Sequence, residues 1–212
     1  MTELTFDCLP PRALRYAASP TLAFPLRITE LTGTRVHAVA LRVQLRIEPQ
    51  RRRYSPDEAE LLEHLFGDQS RWGETLKPFQ FATVSAVVPS FGGSTEFGLD
   101  VPCSYDLEVA AGKYFHGLAD GVVPLVLLFS GTVFGKSESG FRIEQVPWHT
   151  QAECRMPVAV WDELMALYFP QETWIKLHRH TVDALLRFKA RRAIPTWDAA
   201  MQQLLEHAEA PS

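Results

Sequence analysis

The side chains in this sequence that could ligate a metal ion or act as nucleophiles are widely separated along the chain. Three cysteines, Cys8, Cys103 and Cys154, lack the Cys-x-x-Cys spacing of zinc and redox motifs. His178 and His180 are two residues apart, whereas a helix brings residues three or four apart onto one face. We therefore expect three isolated buried thiols, solvent-exposed histidines and no cofactor. The alternative is that these five residues meet in space and handle a metal or a thiol.

Three further patterns resemble parts of catalytic or ligand-binding motifs, but each lacks a necessary element. Glu60 and His64 are four residues apart, like half of a carboxylate–histidine site, and no second half lies nearby in the sequence. Residues 92–95 have the glycines of a phosphate-binding loop without its lysine or its helix. Ser130-Gly131 lacks the G-x-S-x-G pattern of a nucleophile elbow. We therefore predict that the chain is not an enzyme.

Two clusters of basic residues stand out in a chain whose net charge is -4. That acidic balance provides no general attraction to nucleic acid or to an anionic membrane, and no aromatic residues that could stack on bases alternate with the clusters. Arginine and tryptophan are common at interface hot spots, which favours contact with a protein partner. The alternatives are solvated charges, and tryptophans such as Trp148, Trp161 and Trp174 that only hold helices in place. The candidate interaction residues are Arg51, Arg52, Arg53, Tyr54, Arg187, Lys189, Arg191, Arg192 and Trp197.

The cysteine count and the hydropathy pattern predict a cytoplasmic protein. An odd number of widely spaced cysteines is typical of a reducing compartment. The first residues include neither a positive leader nor an apolar core segment, so no secretory signal is expected. The longest apolar run, residues 122–129, has eight residues, far fewer than the ~20 of a membrane-spanning helix.

The elements that must position these residues begin with two strands. Residues 22–28 and 39–47 alternate between apolar and polar side chains, which predicts strands with one buried face. Because a short loop containing Gly33 separates them, the two runs are predicted to pair as a hairpin. Residues 105–109 also alternate and predict a strand, whereas residues 110–115 fit either its continuation or a helical turn.

Two later segments of the predicted sheets carry signs of irregular geometry. Between residues 78 and 88 the apolar positions change from one face to the other, which predicts a bulge or a strand buried on both sides. Residues 122–134 are the most apolar run and predict a central strand, in which Gly131 marks a close approach or a bulge.

A helix is predicted between the strands at residues 56–66. Ser55 fits the N-cap position, Pro56 fits the first helical position and Glu58 completes a capping box. Gly67 is a suitable stop. Because this helix follows the Arg51 cluster directly, both should lie near one rim of a sheet.

The overall pattern predicts an α+β, mainly β fold. Seven or eight strands indicate an antiparallel β-sandwich, Ig-like or related, over residues 1–156. The apolar period becomes helical over residues 157–212, which predicts a region of three one-sided helices docked on the sandwich. The absence of strict β-α-β alternation disfavours a parallel nucleotide-binding sheet.

Several strings give the chain a family resemblance over roughly residues 3 to 207. They are residues 38–41, 46–54, 125–134, 188–192 and 195–198. With these strings the chain resembles an uncharacterised bacterial family, mostly actinobacterial, that is often encoded beside genes for high-affinity NiFe hydrogenases. The resemblance implies an accessory, assembly or structural role near a hydrogenase, with hydrogenase subunits or maturation factors as partners. It implies no activity, cofactor or active site.

Three functional hypotheses follow. The first is a non-catalytic accessory or protein-interaction protein that uses the basic clusters. The second is a protein that handles metals or thiols for cofactor delivery, with Cys8, Cys103, Cys154, His178 and His180. The third is a small-ligand-binding or carbohydrate-binding sandwich, or an enzyme with a dispersed site. A deep pocket lined by paired carboxylates or exposed aromatic side chains would be the evidence.

Overall fold

The computed structural model describes residues 2–103, 105–137, 140–170 and 177–209. The chain divides into two compact units, Met1–Pro170 and Gln171–Ser212. The strands in these ranges are β1 (Leu4–Cys8), β2 (Arg12–Ala13), β3 (Thr21–Glu30), β4 (Val36–Ile47), β5 (Phe79–Val88), β6 (Ser94–Pro102), β7 (Val122–Ser137), β8 (Gly140–Gln145) and β9 (Gln151–Pro157). The α-helices are α1 (Pro56–Phe66), α2 (Trp72–Thr75), α3 (Tyr105–His116), α4 (Val158–Tyr168), α5 (Arg179–Arg191) and α6 (Trp197–Glu209).

The strands form two antiparallel sheets that share one apolar core. In sheet A, β3 is central, with β1 and β2 along one side and β6 along the other. In sheet B the order is β5-β4-β7, and both β8 and β9 pair with the far side of the long strand β7. The inward side chains of both sheets belong to a single buried cluster. This architecture confirms the predicted α+β, mainly β antiparallel sandwich.

The predicted hairpin between the first two alternating runs is wrong, because β3 lies in sheet A and β4 lies in sheet B. Glu30 shows how the connection changes sheets. Its carboxylate is buried and accepts hydrogen bonds from the backbone N–H groups of Thr32 (2.9 Å) and Thr34 (2.8 Å). These hydrogen bonds fold the loop around the Glu30 side chain. The strands β3 and β4 each pair with strands from elsewhere in the chain.

Sheet B contains both predicted irregularities. Leu45 pairs with Ala82 and Arg46 pairs with Gln80, so that Phe81 is the extra residue of a bulge and lies buried beside Ala82. In the central strand β7, Gly131 has a φ of 151°, and a Cβ there would overlap the carbonyl oxygen of Ala40. Only glycine allows β4 and β7 to approach this closely.

The helix α1 forms as predicted, with a complete capping box. Ser55 accepts from the backbone N–H of Glu58, the Glu58 carboxylate accepts from the backbone N–H of Ser55, and Gly67 follows the helix with a φ of 73°. By contrast, the strand predicted at residues 105–109 is wrong, because this segment lies in α3. Ala111, Tyr114 and Phe115 are buried at helical spacing, and this tertiary burial outweighs the short alternating pattern.

The three predicted C-terminal helices are α4, α5 and α6. α4 belongs to the first unit, where Trp161 stacks on Phe115 of α3 with ring centroids 4.3 Å apart. α5 and α6 belong to the second unit and contact each other. Docking of these two helices on the sandwich stays a prediction. Among the helices of the described ranges, none is long and apolar enough to cross a membrane.

Candidate functional site

The first predicted basic cluster lines a cleft of about 410 Å³ at one rim of the sandwich. A short 3₁₀ turn, Pro49–Arg51, follows β4 and leads to the cluster, and the N-terminus of α1 follows it. The turn at Gly121 before β7 and the strand β9 close the other side. The lining residues are Arg51, Arg52, Arg53, Tyr54, Ser55, Glu58, Asp120, Gly121, Val122 and Arg155.

The base of the cleft contains a buried ion pair between Arg52 and Glu58, whose side chains are 7% and 5% exposed. The Glu58 carboxylate also accepts hydrogen bonds from the backbone N–H groups of Ser55 and Ala119, both at 2.9 Å. The Arg52 guanidinium donates to the carbonyl of Val122 at 3.4 Å. This ion pair therefore joins the cap of α1 to the turns on both sides of the cleft.

One donor of Arg52 has no acceptor in the part of the chain that the structure describes. The Nε–H group is buried and has no hydrogen-bond partner there. A buried donor without an acceptor costs about 1–3 kcal/mol, more for a charged group. An arginine side chain offers five N–H donors in a planar fork that fits carboxylates.

Tyr54 connects the cluster to the core through a tyrosine pair. The Tyr54 hydroxyl donates to the carbonyl of Pro49 at 2.8 Å, so the Tyr114 hydroxyl must donate the 2.9 Å bond between the two hydroxyls. Burial, and next the neighbouring Tyr114, raise the pKa of Tyr54 well above its ordinary value. Burial also raises the pKa of Tyr114. Both side chains are therefore neutral at physiological pH and serve to hold the wall of the cleft.

The remaining arginines of the cleft lie at its surface. Arg51 pairs with Glu153 of β9, with Nη1 and Oε1 2.8 Å apart. Arg53 and Arg155 are exposed and have no ion-pair partner among the described residues. The lining contains four arginines but only two carboxylates, those of Glu58 and Asp120, so the net charge of the cleft is positive.

The basic residues of the second predicted cluster lie on α5 and at its C-cap, Arg192, and α5 has no buried residue. The Arg192 guanidinium lies 4.6 Å from the centre of the Phe188 ring, and Lys189 Nζ lies 5.6 Å from the Trp197 ring of α6. Arg187, Arg191 and Arg192 line a shallow depression of about 460 Å³ with Ala184 and Phe188. The predicted residues of this cluster thus belong to one helix pair.

The cysteines and histidines of the alternative site do not all meet. Cys8 Sγ and Cys154 Sγ are 2.7 Å apart. Cys103 is buried near the opposite end of β3, where its backbone N–H donates to Pro20. The rings of His178 and His180 stack with centroids 5.6 Å apart at the start of α5. Across the described residues, no group of three or more histidine, cysteine or carboxylate side chains could hold a metal.

The motif-like patterns have ordinary structural roles in the described chain. Gly93 has a φ of 69° in the turn that precedes β6. The His64 ring bonds to the carbonyl of Leu61 at 2.7 Å, within its own helix. Trp174 lies outside the described residues.

The structure also reveals a surface site that the sequence analysis did not find. Trp148 is 92% exposed beside the outer face of sheet B, where a depression of about 570 Å³ lies. Its lining includes Arg42, Gln44, Gln80 and Trp148. In the cleft, Arg155 was likewise missed, although the alternating burial of residues 151–157 is the signal of a strand with Arg155 on its exposed face.

No curated protein matches this chain. One similar solved structure is the crystal structure of Se-Met labeled Beta-glucosidase from Kluyveromyces marxianus, at 8% sequence identity and a TM-score of 0.27. The similarity covers 73% of this chain and 15% of that chain. A family model described as a family of unknown function, DUF6084, matches residues 1–212, and the chain therefore belongs to that family.

Proposed function

We propose that this protein is a non-catalytic accessory protein whose basic cleft binds an acidic segment of a partner protein. The observation that carries the proposal is the arginine set of the cleft. Arg53 and Arg155 are exposed and project charges that no described carboxylate neutralises. Carboxylates bind arginine through short, charge-assisted hydrogen bonds, often two at once.

Contacts among its own residues hold the shape of the cleft. The Arg52–Glu58 ion pair, the capping box of α1 and the Tyr54–Tyr114 hydroxyl pair fix three of its sides. A preorganised surface loses less conformational entropy on binding than a flexible one. The fixed residues therefore provide geometry, and the exposed Arg53 and Arg155 provide the charge that a partner meets.

A protein partner fits this surface better than a nucleic acid does. The net charge of the chain is -4, and a phosphate backbone would require a broad basic face. A local positive cleft on an acidic protein selects a partner with a local acidic patch. The family resemblance supports hydrogenase subunits or maturation factors as the partner class, and the basic helix pair α5–α6 is a second surface for the same contact.

A pull-down tests both the partner and the surface. Tagged full-length protein is incubated at moderate salt with lysate from cells that produce a NiFe hydrogenase, and the recovered proteins are identified by mass spectrometry. The wild type is compared with the charge-reversal variant R53E/R155E. We expect a hydrogenase subunit or maturation factor to be recovered at least tenfold less by the variant, because two exposed charges at the interface change sign.

The matched control is R12E/R15E, which changes the net charge equally at two exposed arginines outside the cleft lining. Recovery with this control should equal that of the wild type. If the wild type recovers neither a hydrogenase subunit nor a maturation factor, the partner class is rejected. If R53E/R155E recovers the same partner as well as the wild type does, the cleft is rejected as the surface.

A second candidate function rests on the surface beside Trp148. An almost fully exposed tryptophan next to two side-chain amides, Gln44 and Gln80, combines a flat apolar ring with hydrogen-bonding groups. This combination suits a neutral sugar chain, which presents apolar ring faces and hydroxyl groups. The candidate is therefore a carbohydrate-binding sandwich.

Intrinsic tryptophan fluorescence during titration with neutral oligosaccharides tests the second candidate. Saturable quenching that is lost in W148A and kept in W197A would support it, because Trp197 lies in the second unit. No change with a panel of glucan, xylan and mannan oligosaccharides at millimolar concentration would reject it.

A further inference from the structure

Two cysteines that are 146 positions apart in the sequence come together where the two sheets meet. Cys8 is the last residue of β1 and pairs with Leu26 of β3, whereas Cys154 lies in β9 and pairs with Leu125 of β7. Their Sγ atoms are 2.7 Å apart. Among the described strands, β1 pairs only with β3 and β9 only with β7, so the cysteines connect the edge of sheet A to the edge of sheet B.

The two thiols differ in their access to solvent. Cys8 is partly exposed, whereas Cys154 is buried. The hydrogen bond with Cys8, and next the burial of the side chain, raise the pKa of Cys154 above its ordinary value. Because Cys154 is buried, a dissolved oxidant does not contact its sulfur directly. A dissolved oxidant therefore reaches Cys8 first, with Cys154 directly behind it.

We propose that Cys8 and Cys154 are a redox modification site, which a peroxide converts to a reversible disulfide between the two sheets. The Cys8 thiolate attacks one peroxide oxygen, the O–O bond breaks, and Cys8 becomes a sulfenic acid while the other oxygen leaves as water after protonation. The Cys154 sulfur then attacks the Cys8 sulfur, the S–O bond breaks, and the hydroxyl leaves as water with the thiol proton. In total, two thiols lose two electrons and the peroxide is reduced to two waters.

The geometry of the site favours the second step over further oxidation of Cys8. A disulfide requires the sulfur atoms to come to about 2.05 Å, which a small movement of either side chain achieves from the present separation. A resolving cysteine next to the oxidised one is the usual arrangement of a reversible site. Cys103 cannot take this part, because it bonds to Pro20, just before β3, whereas Cys8 pairs with Leu26 of β3. These two positions are six residues apart in the chain, or roughly 20 Å along an extended strand.

The disulfide should also change the stability of the sandwich. It would close a loop of almost the whole first unit, and long loops lose the most entropy in the unfolded chain when they are closed. We expect the melting temperature of the oxidised protein to be about 10 °C higher than that of the reduced protein.

The test is to oxidise the folded, full-length protein and then count the remaining thiols. Reduced protein is treated with hydrogen peroxide, the peroxide is removed, and free thiols are alkylated in denaturant so that the buried Cys103 also reacts. Tryptic peptides are then analysed by mass spectrometry. The chain has three cysteines, so we expect one alkylated thiol, at Cys103, and a linked pair of peptides that contain Cys8 and Cys154. Dithiothreitol should restore three thiols and the lower melting temperature.

Single variants separate this reaction from unspecific oxidation. C103A should form the Cys8–Cys154 link as the wild type does, whereas C154A should accumulate sulfenic or sulfinic acid at Cys8 without a link. Three free thiols after peroxide treatment of the wild type would overturn the proposal, as would a link through Cys103 or oxidation of wild-type Cys8 to sulfinic acid without a disulfide. Because the wild-type peptide map is decisive, a variant that fails to fold does not affect the conclusion.

Discussion

The two basic clusters have similar sequence patterns but different places in the fold. In the cluster at the rim of the sandwich, Arg52 is buried in an ion pair with Glu58, and Arg53 beside it is exposed. In the cluster on α5, no residue is buried, and the basic side chains contact the rings of Phe188 and Trp197 instead of carboxylates. A run of basic residues therefore does not by itself indicate whether its charges support the fold or face a partner.

The difference follows from what surrounds each cluster. The rim cluster joins a strand to the capping box of α1, and Glu58 serves the cap, Ala119 and Arg52 together. On α5, Arg187 and Arg191 are exposed and Lys189 is half-buried, so none of these charges is buried as Arg52 is. Removal of a buried charge should therefore cost stability, whereas removal of an exposed one should cost binding only. The following predictions test this contrast.

The largest effect is expected for R52A, which leaves the Glu58 carboxylate buried without its cation. Removing one partner of a buried pair costs about 3–5 kcal/mol. Since Glu58 keeps its two backbone donors, we expect a loss near the lower value, about 3 kcal/mol. The measurement is the free energy of unfolding in urea. The control R53A, at an exposed neighbour, should change it by less than about 0.5 kcal/mol, and equal losses for both variants would contradict the contrast.

Replacement of the whole ion pair sharpens this prediction. The double variant R52M/E58L removes both charges and fills similar volume, so it should recover part of the stability that R52A loses. The recovery is incomplete because E58L removes the acceptor of two backbone N–H groups, that of Ser55 in the capping box, at a cost of about 1 kcal/mol, and that of Ala119, at a cost of about 1 kcal/mol or more. Urea unfolding of R52M, E58L and the double variant gives the coupling energy between the two side chains. A coupling energy near zero would show that the pair does not act as a unit.

A smaller effect is expected for Y54F, which belongs to the same rim but carries no charge. The variant leaves the Pro49 carbonyl without its donor and the Tyr114 hydroxyl without its acceptor, so it should lose about 1–2 kcal/mol. The control is Y16F, because Tyr16 is 96% exposed. Urea unfolding at pH 7 checks the difference between the two variants.

The same tyrosines predict how stability depends on alkaline pH. Their pKa values are raised in the folded state, so the unfolded chain releases these protons first, from about pH 10 upward. Stability is therefore fully present below pH 10 and falls above it, by up to about 1.4 kcal/mol per pH unit for each tyrosine. Y54F should show a shallower decline than the wild type between pH 10 and 11.5. Parallel declines would contradict the assignment to Tyr54.

The fold was predictable where the signals are local. The capping residues of α1, the bulge at Phe81 and the close approach at Gly131 are each specified within a few residues, and the structure contains all three. The partner of β3 was not predictable, because an alternating strand with one buried face can pair with any similar strand. The helix α3 was predicted only in part, since residues 105–109 were interpreted as a strand and a helical turn was one of two alternatives for residues 110–115. Its burial depends on Tyr114 and Phe115 contacting distant parts of the chain.

The candidate site was predictable only in part for the same reason. The sequence pointed to the Arg51 cluster, but Arg155 reaches the cleft through β9, whose position depends on pairing with β7. The sulfur pair of Cys8 and Cys154 depends on the meeting of two sheets, which no spacing in the sequence records. The resemblance to an uncharacterised family is confirmed, because a family of unknown function matches the whole chain.

The smallest effect on stability is expected for the charge reversal R187E/R191E on α5. Both side chains are exposed, and neither has an ion-pair partner among the described residues, so the free energy of unfolding should change by less than about 0.5 kcal/mol. Thermal unfolding followed by circular dichroism checks this. Recovery of the partner in the pull-down should nevertheless fall and lose part of its salt dependence, because these charges are free to meet carboxylates of another protein. A large loss of stability with unchanged recovery would show that the helix cluster, like Arg52, supports the fold, and the contrast between the two clusters would then be wrong.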